Sequence, residues 1–158
     1  MTDHRRTLRA AELVRAARLD VGMSVAALAS AASLPLRTVA GYESGRVRPG
    51  PEVLDRVLRA ARTRPSIPLS VHADDILAEA ARHRLVDVRV FGSAVRGQDT
   101  PDSDIDLLVG LAPGASLFDL GGFAHVVEEL TRFDVDLLTD DVADDPHFAH
   151  MLAEAVPL

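Results

Sequence analysis

The 158-residue sequence lacks cysteine and lysine altogether, and it has no long hydrophobic run. Without cysteine, the chain can form neither a disulfide scaffold nor a zinc–thiolate site, and cysteine catalysis is excluded. No apolar segment approaches the ~20 residues that a membrane-spanning helix needs. Residues 1–20 have neither the apolar core nor the cleavage site of a signal peptide. We therefore expect a soluble, cytoplasmic protein that does not contact a membrane.

The charged residues are divided unevenly along the chain, which as a whole carries a net charge of −7. Residues 1–66 contain 12 arginines and 6 acidic residues, whereas residues 67–158 contain 5 arginines and 18 acidic residues. The two halves therefore carry net charges of +6 and −13. Such an asymmetry indicates two domains with different partners.

Two prolines mark the boundary between these domains. Pro65 and Pro68 each lack a backbone N–H donor, and each disfavours a helical conformation in the residue before it. We therefore predict a first domain at residues 1–64 and a second domain at residues 71–158, joined by a linker at residues 65–70.

The basic half has the sequence pattern of four short helices. Strong helix formers dominate residues 7–20, and Pro35 suits the first turn of a later helix. Gly22 and Gly45 are suited to ending helices. The predicted helices cover residues 7–20, 25–31, 35–43 and 51–62. A short helix, a tight turn and a second short helix inside a small all-α bundle form a helix-turn-helix.

This half resembles the Xre/Cro-type helix-turn-helix family over roughly residues 8–62. The matching residues are Gly22-Met-Ser24, Leu28-Ala29, Thr38-Val39, Tyr42-Glu-Ser-Gly45-Arg46, Pro49 and the Val53-Leu54/Val57-Leu58 helix. Ser33 stands where the family usually has a turn glycine, and Val25 and Ala26 replace polar residues that often contact DNA. The resemblance implies that helix 35–43 enters the major groove of operator DNA.

The same resemblance assigns individual residues to DNA contacts. The residues that would face bases or the DNA backbone are Leu36, Arg37, Ala40 and Gly41. Arg37 is the best base-reading candidate because its guanidinium can bond two acceptors of guanine, and Arg46 and Arg48 would hold phosphate. The alternative is a helical dimerisation domain with a solvent-exposed arginine surface, since this fold also serves in protein interactions.

The acidic half alternates helices with short β-branched segments, a pattern that predicts an α/β (α+β) domain with a small mixed sheet. Ser116 and Asp119 are spaced as a capping box, which places the start of a helix at residue 117. Pro146 suits the start of the last helix. We predict helices at residues 71–85, 117–131 and 146–155, strands at residues 86–91 and 132–139, and a turn followed by a strand at residues 100–109.

Two of the predicted strands each carry a pair of aspartates two residues apart, Asp104 with Asp106 and Asp134 with Asp136. Residues two apart on a strand point to the same side, so the carboxylates of each pair converge. A divalent cation relieves the repulsion between such carboxylates, and oxygen ligands favour Mg²⁺ or Mn²⁺ over zinc. Alternatively, the aspartates lie at strand ends or on a solvent-exposed face, although aspartate is depleted in strands.

Gly92 and Ser93 directly follow the predicted strand at residues 86–91. A glycine there lets the backbone approach a ligand closely, and Ser93 offers a backbone N–H and a hydroxyl to a phosphate. Most Gly-Ser pairs are simple turns. Here ten residues separate the pair from Asp104-x-Asp106, and a further strand aspartate follows, so we interpret it as a phosphate-binding turn.

This combination resembles the nucleotidyltransferase superfamily related to DNA polymerase β. It is more similar still to the minimal nucleotidyltransferases that act as antitoxins beside HEPN-domain toxins. The resemblance covers roughly residues 71–158. Its matching segments are residues 91–97, 101–107, 135–137 and 154–157.

The resemblance implies a role for each candidate residue. Two catalytic Mg²⁺ ions, with Mn²⁺ as an alternative, would be bound by Asp104, Asp106 and Asp136. Asp136 would also polarise the attacking hydroxyl, as a base or as a metal ligand. Gly92 and Ser93 would hold the triphosphate of ATP. Arg96 either contacts phosphate or forms a structural ion pair with a nearby aspartate.

The reaction that the family implies is attack of a hydroxyl on the α-phosphorus of ATP, with pyrophosphate as the leaving group. In the antitoxin family, the acceptor is a tyrosine of the toxin, which the added adenylate inactivates. The 88 residues of the second domain leave little room for an acceptor-binding region, so we expect a separate macromolecule to present the acceptor.

Two functions are therefore compatible with the sequence. The first is an adenylylating antitoxin, a homodimer or a hetero-oligomer with its toxin, that represses its own operon through the helix-turn-helix. The second is a transcriptional repressor or non-catalytic antitoxin, whose transferase-like domain only binds the partner. The complete set of three carboxylates and the Gly92-Ser93 turn favours the first.

Overall fold

The computed structural model describes residues 2–141 and 145–158. These residues form an N-terminal helical bundle followed by an α/β domain. The helices are α1 (Asp3–Asp20), α2 (Val25–Ala31), α3 (Leu36–Glu43), α4 (Pro51–Ala60), α5 (Ser66–Arg82), α6 (Ser93–Arg96), α7 (Leu117–Thr131) and α8 (Ala149–Glu154). The strands are β1 (Leu85–Phe91), β2 (Ile105–Leu111), β3 (Val135–Thr139) and β4 (Val156–Pro157). No described helix combines the length and the apolar character that crossing a bilayer demands.

The N-terminal bundle closes around apolar side chains from its four helices. Its fully buried members include Leu13, Val14, Leu28, Val39 and Val57. α2 has the predicted bounds, and the Ser24 hydroxyl caps it by accepting the N–H of Ala27 at 3.0 Å. α1 starts earlier than predicted, because the Thr2 hydroxyl accepts the N–H of Arg5 and caps the helix there.

The turn between α2 and α3 uses a left-handed residue other than glycine. Ser33 has a φ of 54°, a conformation that glycine adopts at lower cost. Pro35 is the N-cap of α3 rather than its first residue, so the helix starts at Leu36. The helix-turn-helix arrangement therefore forms with serine at the turn.

Residues 65–70, which the sequence predicts as a linker, lie instead at the start of α5. Pro65 is the residue just before the helix, and Pro68 is the third residue within it. A missing N–H costs little at these positions, because the first N–H groups of a helix have no acceptor inside it. The two prolines therefore begin a helix, where the sequence pattern predicted an interruption.

α5 belongs to the hydrophobic cores of both domains. Ile67 and Val71 pack into the core of the bundle, while Leu69 and Ile76 are buried in the core beneath the sheet. A helix presents successive residues to different sides, so one element can serve both cores. The two domains are consequently joined by a rigid helix.

Hydrogen-bonded ion pairs reinforce the same junction. Arg64 binds Asp20 of α1 through two hydrogen bonds of 2.9 and 2.8 Å, and it binds Asp99 through a third of 2.9 Å. The Asp99 side chain is fully buried and also accepts the backbone N–H of Ser66 at 2.8 Å. The hydrogen bonds from Arg64 lower the pKa of Asp20.

The C-terminal domain contains a mixed four-stranded sheet in the order β3-β2-β1-β4, which confirms the predicted fold class. β1 runs antiparallel to β2 and β4, whereas β2 and β3 are parallel. Phe123 and Val127 of α7 are buried in the core of this domain. β3 begins at Val135, later than predicted, because the chain first leaves α7 through Arg132, which has a φ of 67°.

α7 begins at the predicted capping box. The Ser116 hydroxyl accepts the N–H of Asp119 at 3.4 Å, and the Asp119 carboxylate accepts the N–H of Ser116 at 2.8 Å. Gly122 weakens the helix but serves packing, since a Cβ there would lie 2.8 Å from Cε1 of His83. The glycine therefore permits close contact between α7 and the end of α5.

Replacing Arg64 with alanine should lower the free energy of unfolding by about 3 kcal/mol, because the buried Asp99 carboxylate loses its cationic partner. Urea denaturation followed by circular dichroism measures the change. The matched control is Arg15→Ala, which removes an exposed arginine of α1 and should change the free energy of unfolding by less than about 0.5 kcal/mol. Equal effects of the two substitutions would show that Arg64 does not stabilise the junction.

Candidate active site

Three aspartates meet where β2 and β3 begin. Asp104 immediately precedes β2, Asp106 is the second residue of β2, and Asp136 is the second residue of β3. The parallel register places Asp106 directly opposite Asp136. Ile105 and Leu107, on either side of Asp106, are buried in the core, so Asp106 points away from it. The structure thus brings together the three carboxylates singled out from the sequence.

These carboxylates interact electrostatically. Partial burial is the largest cause that raises the pKa of Asp106, and the negative charges of Asp136 and Asp104 raise this pKa further. The positive charge of Arg96 acts in the opposite direction. Converging carboxylates of this kind are stabilised in their ionised form by a divalent cation.

The donor set fits a magnesium site. All three side chains offer oxygen ligands, and Mg²⁺ usually takes one or two carboxylates and completes its shell with water and substrate phosphates. Within residues 2–141 and 145–158, no three acidic or histidine side chains are arranged closely enough to hold a metal ion by themselves.

Gly92 is required because the backbone after β1 runs against Asp106. Its φ and ψ of 75° and −151° lie in a region that is accessible essentially to glycine alone. A Cβ at this position would overlap Oδ2 of Asp106. Ser93 follows as the first residue of α6, so the predicted phosphate-binding turn lies directly beside the carboxylates.

Two of the three residues expected to hold phosphate, Gly92 and Arg96, bind a carboxylate of the chain itself. Glu154, the last residue of α8, accepts the N–H of Gly92 at 3.0 Å and pairs with Nη1 of Arg96 at 2.8 and 2.9 Å. Hydrogen bonding from Arg96, and then from Gly92, lowers the pKa of Glu154. Of the two interpretations of Arg96, the ion pair is present, but its partner is a glutamate where an aspartate was expected.

Sequence reasoning assigned no role to Glu154. The contact with Gly92 joins residues 62 positions apart, and it depends on the pairing of Val156 with Val90, which brings the chain end beside β1. The predicted helix at residues 146–155 is in fact a 3₁₀ turn at Pro146–Phe148 followed by α8. A local pattern could not place Glu154 at the turn.

The predicted DNA-contacting residues of α3 differ in their exposure. Leu36 and Arg37 are exposed and Ala40 is half-buried, whereas Gly41 is buried in the bundle beside Val47. At about 100° per residue, Gly41 lies on the side of α3 that carries Arg37 and Ala40, and Val47 lies against it. Gly41 is thus the least accessible of the four residues expected to contact DNA, and its role there stays a prediction.

Arg46 and Arg48, which were expected to hold phosphate, are both exposed. Nε of Arg46 donates to the Ser44 hydroxyl at 3.0 Å, and Arg48 pairs with Asp3 at 3.2 Å. Exposed contacts of this kind contribute little energy. Both guanidinium groups can therefore exchange these partners for phosphate.

Two protein families match the chain, one over most of the helical domain and one over most of the C-terminal domain. Residues 74–155 match a family described as "Nucleotidyltransferase domain", and residues 14–67 match one described as "Helix-turn-helix". The first match covers more than half of the chain. It contains the three aspartates, the Gly92-Ser93 turn and Glu154.

Two proteins of Methanocaldococcus jannaschii are similar to parts of the chain. One, named "Putative protein adenylyltransferase MJ0435", is 38% identical over 58 residues, which make up 37% of this chain and 62% of that protein. The other, named "Putative protein adenylyltransferase MJ0126", is 27% identical over 73 residues, or 46% of this chain and 74% of that protein. The chain thus spans less than two thirds of the length of the first relative.

A solved structure described as "Structure of putative minimal nucleotidyltransferase" is also similar. It is 37% identical in sequence, with a TM-score of 0.52, and the match covers 57% of this chain and 92% of that structure. The similarity extends over most of that molecule and slightly more than half of this chain.

Gly92→Ala should lower the free energy of unfolding by about 3 kcal/mol, because it adds both backbone strain and overlap with Asp106. Gly97→Ala is the matched control: its φ is 65°, but no atom lies within 4 Å of the added Cβ. Strain alone should make that change cost about 1 kcal/mol. Urea denaturation of both variants measures the difference, and equal losses would contradict the close approach of the turn to Asp106.

Proposed function

Because the chain belongs to the nucleotidyltransferase domain family, we propose that it transfers adenylate from ATP to a partner protein. The observation that carries the proposal is the meeting of Asp104, Asp106 and Asp136 beside the Gly92-Ser93 turn. A triphosphate bound at the turn would lie next to the carboxylates. This arrangement suits attack of a hydroxyl on the α-phosphorus of ATP, with release of pyrophosphate.

The residues of the chain have separate tasks in this reaction. The backbone N–H groups of Gly92 and Ser93, together with the Arg96 guanidinium, bind the triphosphate. The carboxylates that would hold two Mg²⁺ ions, or Mn²⁺, are Asp104, Asp106 and Asp136. When bound, such ions would neutralise the negative charge on the triphosphate and on the leaving pyrophosphate. Asp136, on the side of β3, orients the acceptor hydroxyl and assists the loss of its proton.

The acceptor in this proposal is a protein. The similar proteins of Methanocaldococcus jannaschii are named as protein adenylyltransferases, which supports a protein acceptor. The family resemblance narrows the partner to a cognate HEPN-domain toxin and the modified group to a tyrosine hydroxyl. The chain is then an antitoxin that inactivates its toxin by adenylylation.

The helix-turn-helix supports a regulatory role in the same protein. α3 presents exposed Leu36 and Arg37, and Arg46 and Arg48 are exposed as well. On this proposal the domain binds the operator of its own operon, as a homodimer or in a hetero-oligomer with the toxin. Arg37 reads guanine, and the two other arginines hold phosphate. The acidic C-terminal domain repels DNA and confines binding to this face.

A non-catalytic antitoxin or repressor is the second candidate function. The observation in its favour is that Glu154 bonds both Gly92 and Arg96 and so covers the phosphate-binding turn. In this alternative, the C-terminal domain neutralises the partner by binding alone. The two candidates differ in whether the toxin acquires adenylate.

Incubation of the full chain with ATP, Mg²⁺ and its cognate toxin should add the mass of adenylate to the toxin. Asp104→Asn should slow the transfer at least ~100-fold, because it removes a charge needed to hold metal. Mass spectrometry of the intact toxin measures the transfer. Asp87→Asn is the control, since Asp87 is an exposed aspartate of β1, and it should transfer at the unaltered rate. If the Asp104→Asn protein still neutralised the toxin in cells without a mass shift, the non-catalytic alternative would be correct.

Arg37→Ala should weaken specific operator binding by ~1–3 kcal/mol, because it removes the candidate contact to guanine. Electrophoretic mobility shifts with the chain's own promoter, and with a scrambled sequence of equal length, measure specific and non-specific affinity. Arg84→Ala removes an exposed arginine of the acidic domain and should leave both affinities unchanged. An Arg37→Ala protein with undiminished specificity would contradict the role of α3 as the recognition helix.

A further inference from the structure

A cavity of about 790 Å³ separates the two domains next to the candidate active site. One wall includes Arg59 and Arg62 from the helical domain, and the other includes Asp102, Asp104 and Glu129 from the C-terminal domain. Binding sites are often found at such domain interfaces and typically have volumes of roughly 300–1,000 Å³. The cavity therefore has the size and the position of a binding site. Asp104, a proposed metal ligand, lines it.

The cavity lies on the side of the carboxylates away from the phosphate-binding turn. In the sheet, β2 is flanked on one side by β1, which leads into Gly92, and on the other by β3. Phe133 and Asp134, which lead into β3, line the cavity together with Asp104. A hydroxyl that enters here approaches from the side opposite to a triphosphate at the turn. In-line attack on phosphorus requires the entering and leaving oxygens to lie on opposite sides.

The charges that line the cavity are predominantly negative. Asp55 and Arg132 pair with each other at 3.4 Å, so together they add little net charge. Five other acidic residues line the cavity, on the loop before β2, on α7 and before β3, against Arg59 and Arg62 on the opposite wall. This surplus of carboxylates attracts a cationic segment and repels the phosphate backbone of a nucleic acid.

Apolar surface is present beside these charges. Leu58, Pro101 and Phe133 line the cavity, and Phe133 is only partly buried. An aromatic ring packs favourably against such side chains. A tyrosine seated here would have an apolar contact for its ring and carboxylates within the cavity near its hydroxyl.

We propose that this cavity is the docking site of the acceptor, a polypeptide segment in which a tyrosine is flanked by basic residues. The inference rests on the proposed function and deepens it by naming the place and the charge of the acceptor segment. It also gives the helical domain a part in substrate binding, since α4 and the residues after it form one wall.

The test uses the full chain and a fluorescent peptide, Arg-Arg-Tyr-Arg-Arg, with Glu-Glu-Tyr-Glu-Glu for comparison. Fluorescence anisotropy without ATP measures binding whether or not transfer takes place. The basic peptide should bind at least tenfold more tightly than the acidic one. Glu129→Lys should weaken binding of the basic peptide about tenfold, because it removes a negative charge from the cavity and adds a positive one. Arg59→Glu should tighten binding of the same peptide several-fold for the opposite reason. Loss of the folded cavity would change both variants in the same direction, whereas the proposal predicts opposite changes.

Glu52→Lys is the matched control, since Glu52 is an exposed acidic residue at the start of α4 and should leave peptide binding unchanged. Equal binding of the basic peptide by the wild type, Glu129→Lys and Arg59→Glu would overturn the proposal. The proposal would also be overturned if a single-stranded oligonucleotide bound more tightly to Glu129→Lys and more weakly to Arg59→Glu. That result would favour a nucleic-acid acceptor.

The outcomes for this site and for the proposed function can be separated. If the wild type and Glu129→Lys transferred adenylate with the same KM for the toxin, the proposed docking site would be ruled out. The proposed function would then still hold. If the peptides bound according to their charge but no adenylate were transferred to the toxin, the proposed function would be ruled out. The docking site would then still hold.

Discussion

The parallel register between β2 and β3 is the constraint on which the candidate site depends. It sets Asp106 beside Asp136, although two like charges repel each other. The register is held by apolar residues of β2, since Ile105 and Leu107 are buried in the core and cannot exchange sides with their polar neighbours. A slip of one residue would turn every side chain of a strand to the opposite face. Hydrophobic burial therefore supplies the energy that keeps the carboxylates together.

The loop that carries Asp104 is held against the helical domain by an ion pair and a hydrogen bond. Asp99, in the segment between α6 and β2, is held by Arg64 and by the backbone of Ser66. α5 contributes to both hydrophobic cores. The opposite charges of the two halves suggest separate partners, yet the structure makes the helical domain a neighbour of the active site. The position of the interdomain cavity follows from this arrangement.

The features that sequence predicted well are those decided by local interactions. The capping box of Ser116 and Asp119, the bounds of α2 and the paired aspartates depend on spacings of two to seven residues. Pro65 and Pro68 were misleading because proline ends a helix in one position and begins it in another, and the choice depends on what the helix packs against. Glu154 could not be placed, since its contact with Gly92 requires that β4 first pair with β1.

Glu154 occupies the turn after β1 at the position where the proposed function places a phosphate. Arg96 and the N–H of Gly92 are already oriented toward a carboxylate in the free protein, so part of the entropy of ordering the cation is lost before any ligand arrives. A phosphate that bound there would take the place of the Glu154 carboxylate, so that Arg96 would keep an anionic partner. Its entry would release Glu154 from Gly92 and Arg96, while the pairing of β4 with β1 would keep the end of α8 beside the turn.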